Sequence, residues 1–201
     1  MTLTKSETTR ARILEAARGL FIAQTYASVT TAQIAAMAEV TKGGLYHHFS
    51  SKEELYLAFL HEDLATKKVL FRQAVELEGH VRERLAQLTR SFLELAPALR
   101  MTARLVRRDI NVFSEEDQEK LVRHYQAALP QQVETILHDG MADGTLAPTD
   151  SRLLSWHFVA LVEVTLTPYA NSVFENNDSK LDLVLNLFLG GASATTGDTT
   201  S

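Results

Sequence analysis

The stretch from Thr30 to Lys52, TTAQIAAMAEVTKGGLYHHFSSK, constrains this chain more than any other. It holds two apolar-periodic segments, each too short to stand alone, with a tight turn between them. Ile34, Ala35 and Ala38 recur at helical spacing in the first segment, and Leu45 and Phe49 in the second. Thr30 reads as an N-cap with Gln33 as its capping-box partner, and Thr41 caps the second segment. A helix running only from about Lys42 to Phe49 survives if another helix packs on it. Two short helices joined by a tight turn describe a helix-turn-helix, whose second helix enters the DNA major groove. The exposed face of that second helix carries Lys42, Gly44, Tyr46, His47 and His48, with Lys52 just beyond. Those side chains donate to phosphates and base edges, and the glycines leave the backbone bare.

A net charge of −5 argues at first against nucleic acid, but the charge is unevenly spread. Residues 1–52 hold six basic residues (Lys5, Arg10, Arg12, Arg18, Lys42, Lys52) against three acids (Glu7, Glu15, Glu39), a net of +3. Of the chain's 20 basic and 25 acidic residues this leaves 14 and 22 for the rest, a net of −8. A basic head on an acidic body suits DNA binding at one end. The chain has 201 residues, room for one large domain or two small ones, and is 45% hydrophobic. It has no cysteine, which excludes disulfides, thiolate metal sites and a cysteine nucleophile. The N-terminus has no signal-peptide core, and no window reaches the ~18 uninterrupted apolar residues of a membrane span. The expectation is a soluble, cytoplasmic protein with no membrane partner.

In chain order, Thr4 to Gln24 predict the first helix, with Ile13, Leu14, Ala17, Leu20 and Phe21 as its apolar stripe. Arg10, Arg12 and Arg18 lie off that stripe, as phosphate contacts or as a solvated face. Tyr26 and Val29 close the small three-helix core. The fourth helix starts after Ser50-Ser51, each able to begin a capping box, and runs to about Leu77. At ~25 residues it spans close to 40 Å, long enough to carry movement from head to body. A fifth helix covers His80 to Ala96 and ends at Pro97; a short, arginine-rich sixth covers Ala98 to Val112. The seventh begins at Ser114 and must kink or split at Pro130. The eighth starts at Asp150, and its core LLSWHFVALVEVTLTPYA is apolar on nearly all sides, so it is buried on more than one face. Ser179 caps the ninth, which carries Val184 and Phe188, and the tail from Gly190 is low in complexity and expected to be disordered. The fold class is all-α, about nine helices. Residues 1–52 form the helix-turn-helix domain, a connecting helix covers 51–77, 53–189 form a ligand-binding and dimerisation body, and 190–201 the tail.

The run A-x-V-T-K-G-G-L-Y-H-H-F-x-S-K-E-E-L, from Ala38 to Leu55, resembles the signature of the tetracycline-repressor (TetR) family. The resemblance is strong from about Ile13 to Leu55 and architectural beyond. It implies a homodimeric bacterial transcription repressor, released from double-stranded operator DNA by a small-molecule effector. By position it assigns Lys42, Gly44, Tyr46 and His47 to the groove. Lys42 donates to guanine O6 or N7, and Gly43 and Gly44 allow close backbone approach. It assigns Thr31, Thr41, Tyr46, His48 and Lys52 to phosphates, and Ala32 to a thymine methyl. Thr25 and Glu39 stand where family members often have glycine, so left-handed backbone there is either avoided or strained.

A second site is expected in the body, where the fifth to eighth helices bring Phe92, Leu95, Met101, Phe113, Tyr125, Trp156 and Val159 together. Glu163 sits in an apolar helix, where an unpaired carboxylate is costly. Arg104 and Arg108, four residues apart, face it or an acidic ligand; alternatively Glu163 lies at the dimer seam and pairs across it. The eighth and ninth helices are expected to form that seam, with Val184 and Phe188 meeting the symmetry mate. No phosphate-cradling loop or metalloprotease helix is present, the seven histidines are scattered, and no metal, cofactor or catalytic residue is expected. The sequence thus reads as a dimeric ligand-responsive regulator, not an enzyme. The other class it fits is a helical small-molecule-binding or adaptor protein without sequence-specific DNA binding.

Overall fold

The structure, a computed structural model, describes residues 4–192, which form twelve α-helices, one short 3-10 helix and no β-strand. The helices are α1 (Lys5–Ala23), α2 (Thr31–Met37), α3 (Lys42–His48), α4 (Lys52–Val75), α5 (Val81–Glu94), α6 (Pro97–Arg100), α7 (Thr102–Asp109), α8 (Glu115–Ala128), α9 (Pro130–Ala142), α10 (Ser151–Val164), α11 (Pro168–Val173) and α12 (Asn177–Ala192). The 3-10 helix, Ile110–Val112, follows α7.

Three more helices form than the sequence pattern predicted, and proline explains two of the breaks. Pro130 splits the expected seventh helix into α8 and α9, and Pro168 ends the eighth and starts α11. A proline has no N–H for the helix ladder and disfavours helical backbone in the residue before it, yet fits a first turn. Before Pro168 the chain turns through Thr165, whose hydroxyl donates to the Val162 carbonyl at 2.6 Å, and Thr167, which caps α11. The expected sixth helix is the α6–α7 pair with the 3-10 turn. Asn176, not Ser179, caps the last helix: its side-chain oxygen accepts from the Ser179 N–H at 2.9 Å. Gly190 and Gly191, expected in the tail, are helical, and 193–201 lie outside the described residues.

The chain divides into two compact units that do not follow sequence order. The first comprises residues up to Ala65 together with Ala96–His124; the second comprises Thr66–Leu95 and the residues from Tyr125 on. In the first unit, Ile13, Leu14, Ala17 and Phe21 of α1 are buried with Ile34 of α2, Leu45 of α3 and Phe59 of α4. Tyr26, Tyr56 and Phe113 extend this core as an aromatic cluster around Phe21 and Phe59. Buried charge runs through it. Asp63 on α4 accepts from Arg18 of α1 at 2.7 Å and from the Thr102 hydroxyl of α7 at 3.2 Å. Asp109 accepts from the Tyr56 hydroxyl at 2.5 Å and from Arg108 at 2.6 Å. Burial and that neighbouring carboxylate push the Tyr56 phenol well above its ordinary range.

The second unit is packed differently. Phe71, Leu85, Phe92, Val133, Phe158 and Phe188 belong to one apolar core shared by α4, α5, α9, α10 and α12. Helices α5 and α9 approach closely at Gly140, where an added Cβ would lie 2.2 Å from Val81 Cγ2. Two of its buried hydroxyls, Ser155 and Thr165, bond carbonyls of their own helix. An ion pair, Arg84 to Asp139 at 2.7 Å, links α5 to α9.

Candidate nucleic-acid interface

Helices α2 and α3 are capped as the sequence requires. Thr30 and Gln33 form the reciprocal capping box, and the Thr41 hydroxyl accepts from the Gly44 N–H at 3.0 Å. Gly44 also has little room for a side chain, since a Cβ would lie 3.2 Å from that same hydroxyl oxygen. At the other end of α3 the cap of α4 takes over. Ser51 accepts from the Glu54 N–H at 3.0 Å, while the Glu54 carboxylate accepts from the backbone and hydroxyl of Ser50 at 2.7 and 2.6 Å. Those two hydrogen bonds hold Glu54 below its ordinary pKa.

The turn between α2 and α3 is a Schellman arrangement. Val40 N–H donates to the Ala35 carbonyl at 3.0 Å and Glu39 N–H to the Ala36 carbonyl at 3.2 Å. This geometry places Glu39 at φ 53°, in left-handed backbone that a side chain disfavours. Thr25, the other position where glycine is common in the resembled family, avoids positive φ.

Leu45 and Phe49 anchor α3 in the core, at 0% and 2% exposure. The opposite face is open: Lys42, Gly43, Tyr46 and His47 are exposed, and Gly44 and His48 half-buried. Ala32 on α2 is exposed, Thr31 is half-buried, and the Thr31 hydroxyl lies 3.3 Å from the Tyr46 hydroxyl. The Lys42 ammonium lies 5.9 Å from the centre of the Tyr46 ring. Thr31, Ala32, Lys42, Gly43, Gly44, Tyr46, His47 and His48 therefore share one helical hairpin, with Thr41 at its second cap.

Lys52, Arg10, Arg12 and Arg18 are engaged within the protein. Lys52 donates to the carbonyls of Tyr26 and Val29 at 2.8 and 3.0 Å and sits 4.2 Å from the Tyr26 ring centre. Two of its three N–H donors fasten the loop before α2, a structural task that its assignment to phosphate did not foresee. Arg10 pairs with Glu62 at 2.5 Å, Arg18 with Asp63 and Glu15, and Arg12 with the carbonyls of Ala38 and Glu39. Each guanidinium thus has a partner within the protein, a contact that reading these arginines as phosphate contacts or a solvated face did not foresee.

The residues expected around a ligand fall in both units. Met101, Arg104, Arg108 and Phe113 belong to the first, and Phe92, Leu95, Tyr125, Trp156, Val159 and Glu163 to the second. Phe113 is a member of the aromatic cluster, and Arg108 donates to Asp109 and to the Phe21 carbonyl. Arg104 is exposed and Glu163 half-buried. Trp156 departs most from expectation: it is 46% exposed on α10, with the Arg152 guanidinium 5.5 Å from its ring centre. Val184 and Phe188 are also displaced from the expected seam. Both are buried inside the protomer, and Phe188 packs edge-on against Phe158 with ring centres 4.9 Å apart. The large apolar side chains that α12 exposes are Leu183 and Leu187, one position before each. Sequence reasoning put the wrong face of this helix outward, because an all-round apolar helix gives no phase. It also missed Thr89 on α5, which is 0% exposed and whose hydroxyl has no hydrogen-bond partner. A lone threonine in an amphipathic helix carries no signal of that kind.

A capped helical hairpin with one buried face and one open, donor-bearing face defines a helix-turn-helix protein of the DNA-binding class. The model of the bacterial regulatory proteins of the tetR family matches residues 13–59, and that of the tetracyclin repressor-like C-terminal domain matches residues 78–170. The chain belongs to the TetR family, one of regulatory proteins rather than enzymes. Among its relatives is the HTH-type transcriptional regulator UidR of Escherichia coli K12, 37% identical over 73 residues, which are 36% of this chain and 37% of UidR. Among solved structures, the transcriptional regulator FadR from Bacillus subtilis in complex with stearoyl-CoA superposes with a TM-score of 0.75 at 19% identity, over 90% of this chain and 98% of FadR. AibR, in complex with isovaleryl coenzyme A and operator DNA, gives 0.75 at 19% identity over 89% and 97%. At that identity the likeness is one of fold. No helix among the described residues is long and apolar enough to cross a membrane.

Proposed function

We propose that this chain is a homodimeric, ligand-responsive repressor in which α3 reads the major groove of each half of a palindromic operator. The observation that carries the reading is the open face of α3, with Lys42, Tyr46 and His47 exposed opposite the buried Leu45 and Phe49. Lys42 and His47 read base edges, Gly43 and Gly44 admit the backbone, Ala32 meets a thymine methyl, and Thr31, Thr41, Tyr46 and His48 hold phosphates. Lys52 keeps one N–H donor for a phosphate beyond its two carbonyls. In the dimer, α10 and α12 of one protomer pack on those of its partner through Val164, Trp156, Leu183 and Leu187. Exposures of 63% for Val164 and 59% for Leu187 are unusual for side chains so apolar, and they support an interface there.

The effector is small, with an apolar or aromatic part, and binds in the body. FadR and AibR are each described in complex with an acyl-CoA, which makes acyl thioesters the first compounds to test. Phe92, Leu95, Tyr125, Val159 and Glu163 remain the candidates in the second unit, and the unpartnered Thr89 hydroxyl joins them as a polar anchor. Helix α4 passes from the first unit into the second, so it is the direct covalent path from ligand to head. A ligand releases DNA only to the extent that it prefers the conformation that binds DNA poorly.

Selection from a random duplex library, followed by titration of the enriched duplex at two salt concentrations, tests the reading. The expected result is a palindromic site and an affinity that falls steeply with salt, as phosphate contacts demand. Enrichment of no sequence, with binding indifferent to salt, would favour the adaptor reading.

A further inference from the structure

At the C-terminal end of α2, the carbonyls of Ala38 and Glu39 are used neither by the helix nor by the Schellman bonds. The Val40 and Glu39 amides satisfy Ala35 and Ala36, while the carbonyls of Ala38 and Glu39 point out of the turn. One guanidinium nitrogen of Arg12, reaching across from α1, donates to both, at 2.8 and 3.2 Å. A cation at this place also complements the negative end of the α2 dipole. The residue between those carbonyls is the only described non-glycine with positive φ, Glu39 at 53°. Left-handed backbone at a residue with a Cβ persists when its surroundings over-determine it. Arg12 is the long-range contact recorded at this turn.

We infer that Arg12 is a positioning residue for the recognition helix: it clamps Glu39 in left-handed backbone and so fixes the angle at which α3 leaves the turn. The inference rests on the DNA-binding reading for its consequence, though not for its geometry. Three residues, Glu39 to Thr41, separate the C-cap of α2 from the start of α3, so a backbone change at Glu39 rotates α3 as a body. Without the clamp, Glu39 relaxes towards ordinary backbone in part of the population. The affinity for DNA then falls by the fraction that remains competent. Arg12 acts here without touching DNA. This separates it from a phosphate contact, which would alter the salt dependence of binding.

The test is a cycle of Arg12→Gln and Glu39→Gly in the full-length protein, with the duplex enriched from a random library as probe. Arg12→Gln should weaken binding about fivefold, the result if one molecule in five stays competent, and leave the slope of log affinity against log salt unchanged. In the Glu39→Gly background, where left-handed backbone needs no clamp, the same change should cost less than twofold. Glu39→Gln serves as control, since it removes the charge and keeps the Cβ; the full fivefold loss should persist in that background. Amide hydrogen exchange of α3 in the DNA-free protein should rise with Arg12→Gln and return to normal when Glu39→Gly is added. That arm reads the clamp even if no duplex is enriched, in which case the proposed function fails and the clamp stands or falls alone. A loss equal in both backgrounds, a salt slope flattened by about one, or unchanged exchange in α3 would overturn the inference.

Discussion

The two units of this molecule are held together in different ways. In the first, α1, α4 and α7 are tied by buried, directional contacts: Arg18 and Thr102 converge on Asp63, and Tyr56 and Arg108 on Asp109. In the second, α5, α9, α10 and α12 meet chiefly through aliphatic and aromatic packing, with the Arg84–Asp139 pair between α5 and α9 as a directional exception, and buried hydroxyls such as Ser155 and Thr165 are satisfied within their own helices. Hydrogen bonds fix angles, whereas apolar packing fixes volume and tolerates rearrangement when volume is kept. On the proposed function, one unit presents a helix at one angle and the other yields to a ligand, and the two are expected to differ in this way.

The largest effect expected from breaking this contrast is at Asp63. Asp63→Ala leaves Arg18 partly buried without its main partner and should cost about 3 kcal/mol of stability, against under about 1.5 kcal/mol for a Phe158→Leu change in the second unit. Denaturant melts of the two variants make the comparison, and equal losses would mean that the head is held by packing as well. Gly140→Ala should cost the second unit about 2 kcal/mol, because the new methyl meets Val81 Cγ2 at 2.2 Å on a packed helix pair. If its melting curve matched wild type, that helix approach would be looser than the distance implies.

The seam offers a sharper form of the same comparison. Leu187→Glu should make the protein monomeric in sedimentation while the protomer keeps its helicity, since Leu187 lies outside the core. Val184→Glu, three positions earlier and buried in the protomer, should unfold the second unit instead. A Leu187→Glu variant that remained dimeric would place the interface elsewhere.

A smaller effect concerns pH. Burial, then His124 and Lys120, lower the His61 pKa from 6.5 to about 4 against the opposing pull of Asp117, with His124 Nδ1 2.7 Å from His61 Nδ1. Between these values the unfolded chain takes up a proton that the folded head excludes, so stability falls as pH drops from about 6.5 towards 4. Glu54, held below its ordinary pKa by Ser50, adds to the loss only at the acidic end, below about its reference of 4.5. His61→Gln should flatten the decline above that point; an unchanged slope would show that His61 does not cause it. Last, Thr89→Val should stabilise the second unit by about 1 kcal/mol, because it removes a buried hydroxyl that has no partner. A loss of stability would mean that the hydroxyl is satisfied in solution.

The contrast also explains what could be read from the sequence. Caps and apolar spacing are local, so Thr30, Gln33, Thr41, Leu45 and Phe49 specified α2 and α3 to within a residue. The prolines marked breaks whose consequence, separate helices, was only half anticipated. The directional contacts of the first unit join residues far apart, such as Lys52 to Tyr26 and Arg12 to Glu39, and a charge on an exposed-looking face does not announce a carbonyl partner. In the second unit the failure was one of phase. Helices α10 and α12 are apolar on both sides, so nothing in the pattern separated Val184 from Leu183, or showed that Trp156 lay on the open side.

The central claim, that α3 reads bases from an angle set by the head, is met most directly at Lys42, which is exposed and which the proposed function assigns to the groove. The measurement is an operator profile of Lys42→Ala beside wild type, taken from the same random duplex library. The account predicts that base preference relaxes at one position in each half-site, related by the palindrome, by about 1–3 kcal/mol while all other positions keep theirs. A uniform loss across every sequence, or a profile identical to wild type, would contradict it.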